Sequence, residues 1–152
     1  MQPSNTEPGV DPQSRCCLHV PVTKHRPNPI SLHGAIESLT FLPDRAPSDG
    51  ATRGSRAFRQ LSEYRDGGIF VGHWAGQSEW ERHTVGDEIV MVVDGSTTIF
   101  FLSNDGEESA RLAAGTLIVV PQGTWHRFET PEFVKLISVT PQPTDHRSER
   151  PS

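Results

Sequence analysis

Glu81, His83, Glu88 and, far down the chain, His126 are residue types that can hold a metal ion or move a proton. In a strand alternate side chains share a face, so Glu81 and His83 point one way while Trp80 and Arg82 point the other. A turn at Gly86 brings the following strand back and places Glu88 near His83. Two imidazoles and one carboxylate from separate strands make a three-ligand set with open positions, a geometry associated with non-haem Fe and compatible with Mn, Ni or Zn. Glu81 can add a fourth oxygen. Plainer readings stand beside this one: a strand histidine can serve only as a hydrogen-bonding group, and Glu79, Glu81, Asp87 and Glu88 can form a solvated acidic face.

The elements that must position these residues are short. Beyond Arg56 the sequence reads as strands punctuated by turns, with no convincing helix, the pattern of an antiparallel sandwich or barrel. The expected strands are residues 69–74, 79–83, 88–93, 97–102, 116–120, 124–128 and 133–140. Asp94-Gly95 and Asp105-Gly106 are hairpin signals, and Pro121-Gln122-Gly123 is a tight-turn signal that folds the His126 strand back on its neighbour. Along that strand Thr124 and Phe128 share the His126 face, and Val90 and Val92 share that of Glu88. On the strand from Ile69, either Val71 with His73 or Phe70 with Trp74 faces inward. Trp80, Trp125 and Arg127 fall on the outer face, where they are expected to pack against an N-terminal helix or a second subunit.

That helix is expected over residues 31–40: Leu32, Ala35, Ile36 and Leu39 fall at i, i+3, i+4 and i+7, Ser31 suits the N-cap and Pro43 stops the run. Residues 1–29 are rich in Pro, Ser and Gln and read as a flexible leader; residues 47–55 read as a loop.

Charge and composition exclude several classes. The 152 residues carry 14 Lys and Arg against 19 Asp and Glu, a net charge of −5, with no basic cluster for a phosphate backbone, so nucleic acid is not an expected partner. The longest purely apolar run, residues 89–93, is far short of the roughly 20 residues that span a bilayer. The N-terminus has neither the basic start nor the apolar stretch of a secretory signal, so a cytoplasmic location is expected. Cys16 and Cys17, the only cysteines, are adjacent within the leader and read as a free, incidental pair. No phosphate-binding loop is present, and Gly76-Gln77-Ser78-Glu79-Trp80 lacks the second glycine of a nucleophile elbow. The hydrophobic content of 34% is low for one compact domain, but residues 48–120 hold no proline, and most of the apolar residues fall from Ile69 on.

The spacing resembles the cupin superfamily. Its first motif, G-x5-H-x-H-x(3,4)-E-x6-G, is matched by His83, Glu88 and Gly95; its second, G-x5-P-x-G-x2-H-x3-N, by Gly115, Pro121, Gly123 and His126, with Thr130 where Asn is usual. Two departures stand out: Glu81 replaces the first histidine of the pair, and Gly76 lies one residue too close to it. The resemblance implies an all-β fold, a double-stranded β-helix or jelly-roll barrel over residues 57–140. It would follow the leader and a helix-and-loop segment, 30–56, and precede a polar tail, 141–152. It implies a divalent metal (Fe, Mn, Ni or Zn) on His83, Glu88 and His126, with Glu81 as fourth ligand or as a catalytic base. The implied functions are dioxygenase-, isomerase- or lyase-type chemistry on a small organic molecule or, alternatively, non-catalytic small-molecule binding or sensing. Barrels of this kind often pair through edge strands, which makes a homodimer the oligomeric expectation.

Overall fold

The protein, described as a computed structural model, has residues 27–49 and 55–152 in place. The expectations for the leader up to residue 26, for Cys16 and Cys17 and for residues 50–54 of the loop lie outside the described residues. One short helix, α1 (Leu32–Glu37), is followed by nine strands: β1 (Leu42–Arg45), β2 (Phe58–Tyr64), β3 (Gly67–Gln77), β4 (Trp80–His83), β5 (Glu88–Ser103), β6 (Gly106–Ala113), β7 (Leu117–Val120), β8 (His126–Pro141) and β9 (Thr144–Arg147).

Helix α1 begins where its sequence says it should. The Ser31 side chain accepts the Gly34 N–H at 3.1 Å, and Ala35 and Ile36 bury against Val71, with Leu32, Leu39, Leu61 and Ile137 around them. At six residues it is too short to be stable alone; this apolar contact holds it on the barrel.

The strands form one curled sheet with β8 at its centre. Along one edge β8 pairs with β3 and then β4; along the other it pairs with β5 over nearly its whole length. β5 in turn carries β7 on its first half and β6 on its second. β2 flanks β3, and β1 joins β3 in parallel. Sixteen residues of β8 alternate inward and outward, so that His126, Phe128, Thr130, Val134, Leu136, Ser138 and Thr140 are all buried. They meet Trp74, Val90, Val92, Ile99, Leu112 and Val120 in the main core.

Several strand expectations need correction. Asp94-Gly95 is not a hairpin: β5 runs straight through it. Buried positions are even-numbered before it (Glu88, Val90, Val92) and odd-numbered after it (Thr97, Ile99), so one extra residue is absorbed there as a bulge. Gly95 has φ of 74°, and a Cβ on it would sit 2.3 Å from the Phe133 carbonyl oxygen; glycine is required for the close approach of β8, not for chain reversal. The hairpin at 103–106 is real, with Ser103 opposite Gly106. Strands β1, β2, β6 and β9 were not foreseen, and residues 141–147, assigned to a tail, complete β8 and form β9 on the edge of β4.

The outward aromatics do not meet α1. Trp80 is buried, with the Arg127 guanidinium 5.3 Å from its ring centre, and Arg82 and Arg147 lie 4.6 and 5.5 Å over Trp125. On β3 it is Phe70 and Trp74 that line the interior cavity, while His73 stacks outside against Phe41 at 4.8 Å. The outer face of β5 and β7 exposes Ile89, Met91, Leu117 and Val119 as directly opposed pairs. Among the described residues no helix is long and apolar enough to cross a bilayer.

Candidate metal centre

Two loops bring the candidate ligands together. The segment between β4 and β5 is fastened to the turn before β8. Gln122 donates its backbone N–H to Asp87 Oδ1 at 2.8 Å and its side-chain amide to the Thr84 carbonyl at 2.6 Å. The Gly123 N–H reaches the His83 carbonyl at 2.8 Å. The turn itself closes with a bond from Thr124 N–H to the Pro121 carbonyl. β4 and β5 are not neighbours in the sheet; His83 and Glu88 meet across the barrel interior, each from its own strand.

His83, Glu88 and His126 are all buried, and one donor atom from each lies within 4.8 Å of the others. Glu88 Oε2 is 3.0 Å from His126 Nε2 and 3.3 Å from His83 Nε2, and the two rings are 5.4 Å apart. Glu81, paired opposite His126, sits on the same side with Oε1 3.6 Å from His126 Nε2. It is more exposed and stands at the rim of the three-residue group. All four residues expected from sequence thus face one interior, three of them as a compact set.

Each member is oriented from outside. His126 Nδ1 lies 3.1 Å from the Thr124 carbonyl; a carbonyl only accepts, so Nδ1 carries the proton. When Nε2 is protonated as well it donates to Glu88 Oε2 at 3.0 Å, and once that proton leaves its lone pair faces the space beside the carboxylate. Thr140 Oγ1 donates to Glu88 Oε1 at 2.6 Å and is itself linked to Ser138 at 2.7 Å. Thr144 Oγ1 lies 3.1 Å from His83 Nδ1. Among the described residues His83 Nε2 is one of two buried side-chain polar atoms with no hydrogen-bond partner, since its approach to Glu88 is close but poorly aligned.

The electrostatics follow from this crowding. Burial by itself would raise the Glu88 carboxyl, but the His126 hydrogen bond and the close approach and charge of both imidazoles overcome it and hold the group at about 2. Burial would likewise lower His126. The hydrogen bond to Glu88, the charges of Glu81 and Glu88 and the Thr124 carbonyl outweigh it and lift the imidazole to about 8. A carboxylate facing two ring nitrogens, one of them without a partner, fits a divalent ion, which accepts all three lone pairs at once.

Glu88 and Glu81 line a cavity of about 600 Å³, of the size that holds a small organic molecule, and His83 and His126 stand behind Glu88. Glu81, Glu88, Ser138, Thr140 and Thr144 contribute polar atoms, and Phe58, Phe70, Trp74, Val90, Phe128 and Leu136 make an apolar wall. Arg45 enters from β1 and rests over the rings of Phe58 and Trp74, 4.9 and 5.0 Å from their centres. Thr140, Thr144 and Arg45 are not among the sequence-derived candidates. Thr140 carries the inward parity of its strand, a usable signal; Thr144 lies in a polar stretch and Arg45 in a short post-helical one, and neither has a local pattern. Ser78, the serine of the incomplete elbow, accepts the Phe128 N–H at 2.8 Å and donates to the Glu79 carbonyl, a structural tie between β3 and β8.

The contact to Thr144 has a measurable consequence. Thr144→Val keeps the shape and strand pairing of β9 but removes the polar partner that His83 Nδ1 has among the described residues; metal affinity is expected to fall about 10–100-fold, read by competition with a chromophoric chelator. Unchanged affinity would mean that packing alone orients the ring.

Comparison with known proteins agrees with this architecture. Residues 72–140 match the family model of the cupin domain. The YdbB protein of Bacillus subtilis is 29% identical over 79 residues; the match covers 52% of this chain and, at 66%, just under two thirds of that relative. NMB1881 of Neisseria meningitidis superimposes with a TM-score of 0.56 at 16% identity, covering 76% of this chain and all of that one. The SPY1581 protein of Streptococcus pyogenes gives 0.54 at 20% identity, covering 78% and 91%; both likenesses establish a shared fold. With its strand order, paired motifs and buried His-Glu-His group, the segment from Gly72 to Thr140 is a cupin domain.

Proposed function

We propose that this cupin domain holds a divalent metal, Fe, Mn, Ni or Zn, on His83, Glu88 and His126, with Glu81 as a fourth ligand or as a general base. The metal would act on a small organic molecule in the adjoining cavity, in dioxygenase-, isomerase- or lyase-type chemistry. When bound, such an ion supplies Lewis acidity or an oxygen-activating centre; the chain supplies the adjoining cavity, three oriented donors and the Glu81 carboxylate at its rim. The observation that carries this reading is the direction of the ring nitrogens. With Nδ1 of His126 committed to Thr124 and Nδ1 of His83 beside Thr144, both Nε2 atoms converge on Glu88 Oε2.

Elemental analysis of the purified protein tests it directly. About one equivalent of a transition metal is expected in the wild type and little in His83→Ala or His126→Ala; near-zero metal in all three ends the reading. A second reading is favoured by the hydrogen bond between His126 and Glu88, which lets a proton close the site without metal. In that case the cavity binds or senses a small molecule without turnover. Ligand binding that survives EDTA, with no product formed, supports this alternative over the first.

A further inference from the structure

The cavity wall carries a guanidinium that no described residue hydrogen-bonds, and beside it lies a buried indole N–H without a partner among the described residues. Arg45 is half-buried, and no oxygen among the described residues is within hydrogen-bonding or ion-pair distance of its guanidinium; its contacts are the faces of Phe58 and Trp74. Trp74 is 3% exposed, and its Nε1–H is the other buried polar atom without a partner. The two are adjacent, since the guanidinium lies on the indole itself. The acidic groups whose charge reaches Arg45 are Glu81, Glu79 and Asp49, and each has a nearer partner. Glu79 pairs with His146 at 2.9 Å, Glu81 stands 3.6 Å from His126 Nε2, and Asp49 accepts the Ala46 N–H at 2.8 Å.

The placement of Arg45 is built into the backbone. β1 runs parallel to β3 with Arg45 opposite Gly76, and a Cβ at Gly76 would lie 2.2 Å from the Arg45 carbonyl oxygen and 2.6 Å from its nitrogen. The glycine that sits one residue out of step with the cupin motif therefore has its own use: it admits the strand that carries Arg45. That strand precedes the segment matching the family model, which starts at residue 72.

We propose that the cavity takes a small, flat, apolar-bodied carboxylate, with its anionic end on the Arg45 guanidinium and its body against Phe58, Trp74 and Phe70. A guanidinium held over two rings presents its N–H fork at reduced entropic cost, and that fork matches a carboxylate in two parallel hydrogen bonds. The apolar wall suits a ring or short aliphatic body, and a carboxylate brings acceptors to donors that otherwise have none. The inference names the ligand class of the site proposed above and rests on that cavity being a ligand site.

Titration of the purified protein with benzoate, benzamide and phenyl phosphate, followed by tryptophan fluorescence and calorimetry, tests it, with metal content determined on the same samples. Benzoate is expected to bind at least tenfold more tightly than benzamide. Arg45→Gln should weaken benzoate at least tenfold and leave both benzamide and metal content unchanged, and Arg45→Lys should restore part of the loss. Equal benzoate binding by wild type and Arg45→Gln overturns the proposal; a carboxylate captured by the metal alone would give that result. So does benzamide matching benzoate, phenyl phosphate exceeding it, or a wild type that binds none of the three. Metal loss from the wild type counts against the metal reading instead, and the two failures are thereby separable.

Discussion

Glu88→Gln is expected to remove bound metal from the protein while leaving its fold in place, the largest single effect on the site. The substitution keeps the size of the side chain and leaves an oxygen to accept the Thr140 hydroxyl, now 2.6 Å from Glu88 Oε1. What it takes away is the negative charge that both histidines face and a lone pair directed at the ion. Losing the only anionic member of the compact set costs more than losing an outer-sphere partner, for which about 10–100-fold is typical; bound metal should fall below a tenth of an equivalent. Stability should also drop in the metal-free protein. Removing one partner of a buried charged pair costs about 3–5 kcal/mol, and because His126 can release its proton the lower figure applies, about 3 kcal/mol. Urea unfolding of EDTA-treated protein at pH 6 measures this. Glu81→Gln is the internal comparison: its side chain is 19% exposed against 5% for Glu88, so its stability cost should be well under 1 kcal/mol. Glu88→Gln with a wild-type metal content would sink the three-ligand site.

The second large effect is a pair of opposite pH dependences. In metal-free protein the His126 pKa is raised from 6.5 to about 8. A group with a raised folded pKa contributes stability that is complete below its unfolded value and disappears as pH climbs through the folded one. The rise corresponds to about 2 kcal/mol, so metal-free protein should be most stable below about pH 6.5 and lose that amount by pH 8 and above. Glu88, lowered from 4.5 to about 2, acts with the opposite sign: its contribution is complete above pH 4.5 and fades as pH falls towards 2. Metal binding should run the other way in the neutral range. The ion must displace the His126 proton, so apparent affinity should rise up to tenfold per pH unit from 6 to 8 and then level off. Thermal unfolding across pH 5–9, with EDTA and with saturating metal, should therefore give curves that diverge towards alkaline pH. Parallel curves would show that no proton leaves the site when the ion enters.

The members of the His-Glu-His group were legible in the sequence because each is set by a turn close to it in the chain. His83 and Glu88 are separated by one turn, and His126 follows the turn at Pro121, so strand parity alone turns them inward. The helix at Ser31 was legible for the same reason, its cap and apolar stripe lying within nine residues. What escaped depends on register between distant strands. Thr144 reaches His83 because β9 pairs with β4, and Arg45 reaches the cavity because β1 lies against Gly76; a polar tetrapeptide and a Leu-Pro-Asp-Arg segment announce neither. Asp94-Gly95 was misread because a hairpin and a bulge ask the same of a glycine, a left-handed backbone, and differ only in whether the chain then reverses. Trp80 and Trp125 were expected against the helix or a second subunit, and the helix is not their neighbour, because parity tells which face a side chain takes, not which neighbour waits there. Here arginines from β4, β8 and β9 occupy it.

The central position of β8 also sets the order in which the protein can be built. Synthesis delivers β3, β4 and β5 first; β3 can pair at once with β1 and β2, but β4 finds its partners only in β8 and β9, with His83 opposite Thr144. Glu88, on β5, can pair early with β7, but until β8 and β9 are made His83 lies on an unpaired strand and neither residue has the threonine that orients it. Such distant pairings fold slowly. The oriented His-Glu-His group is therefore complete only once residue 144 is available to pair with β4.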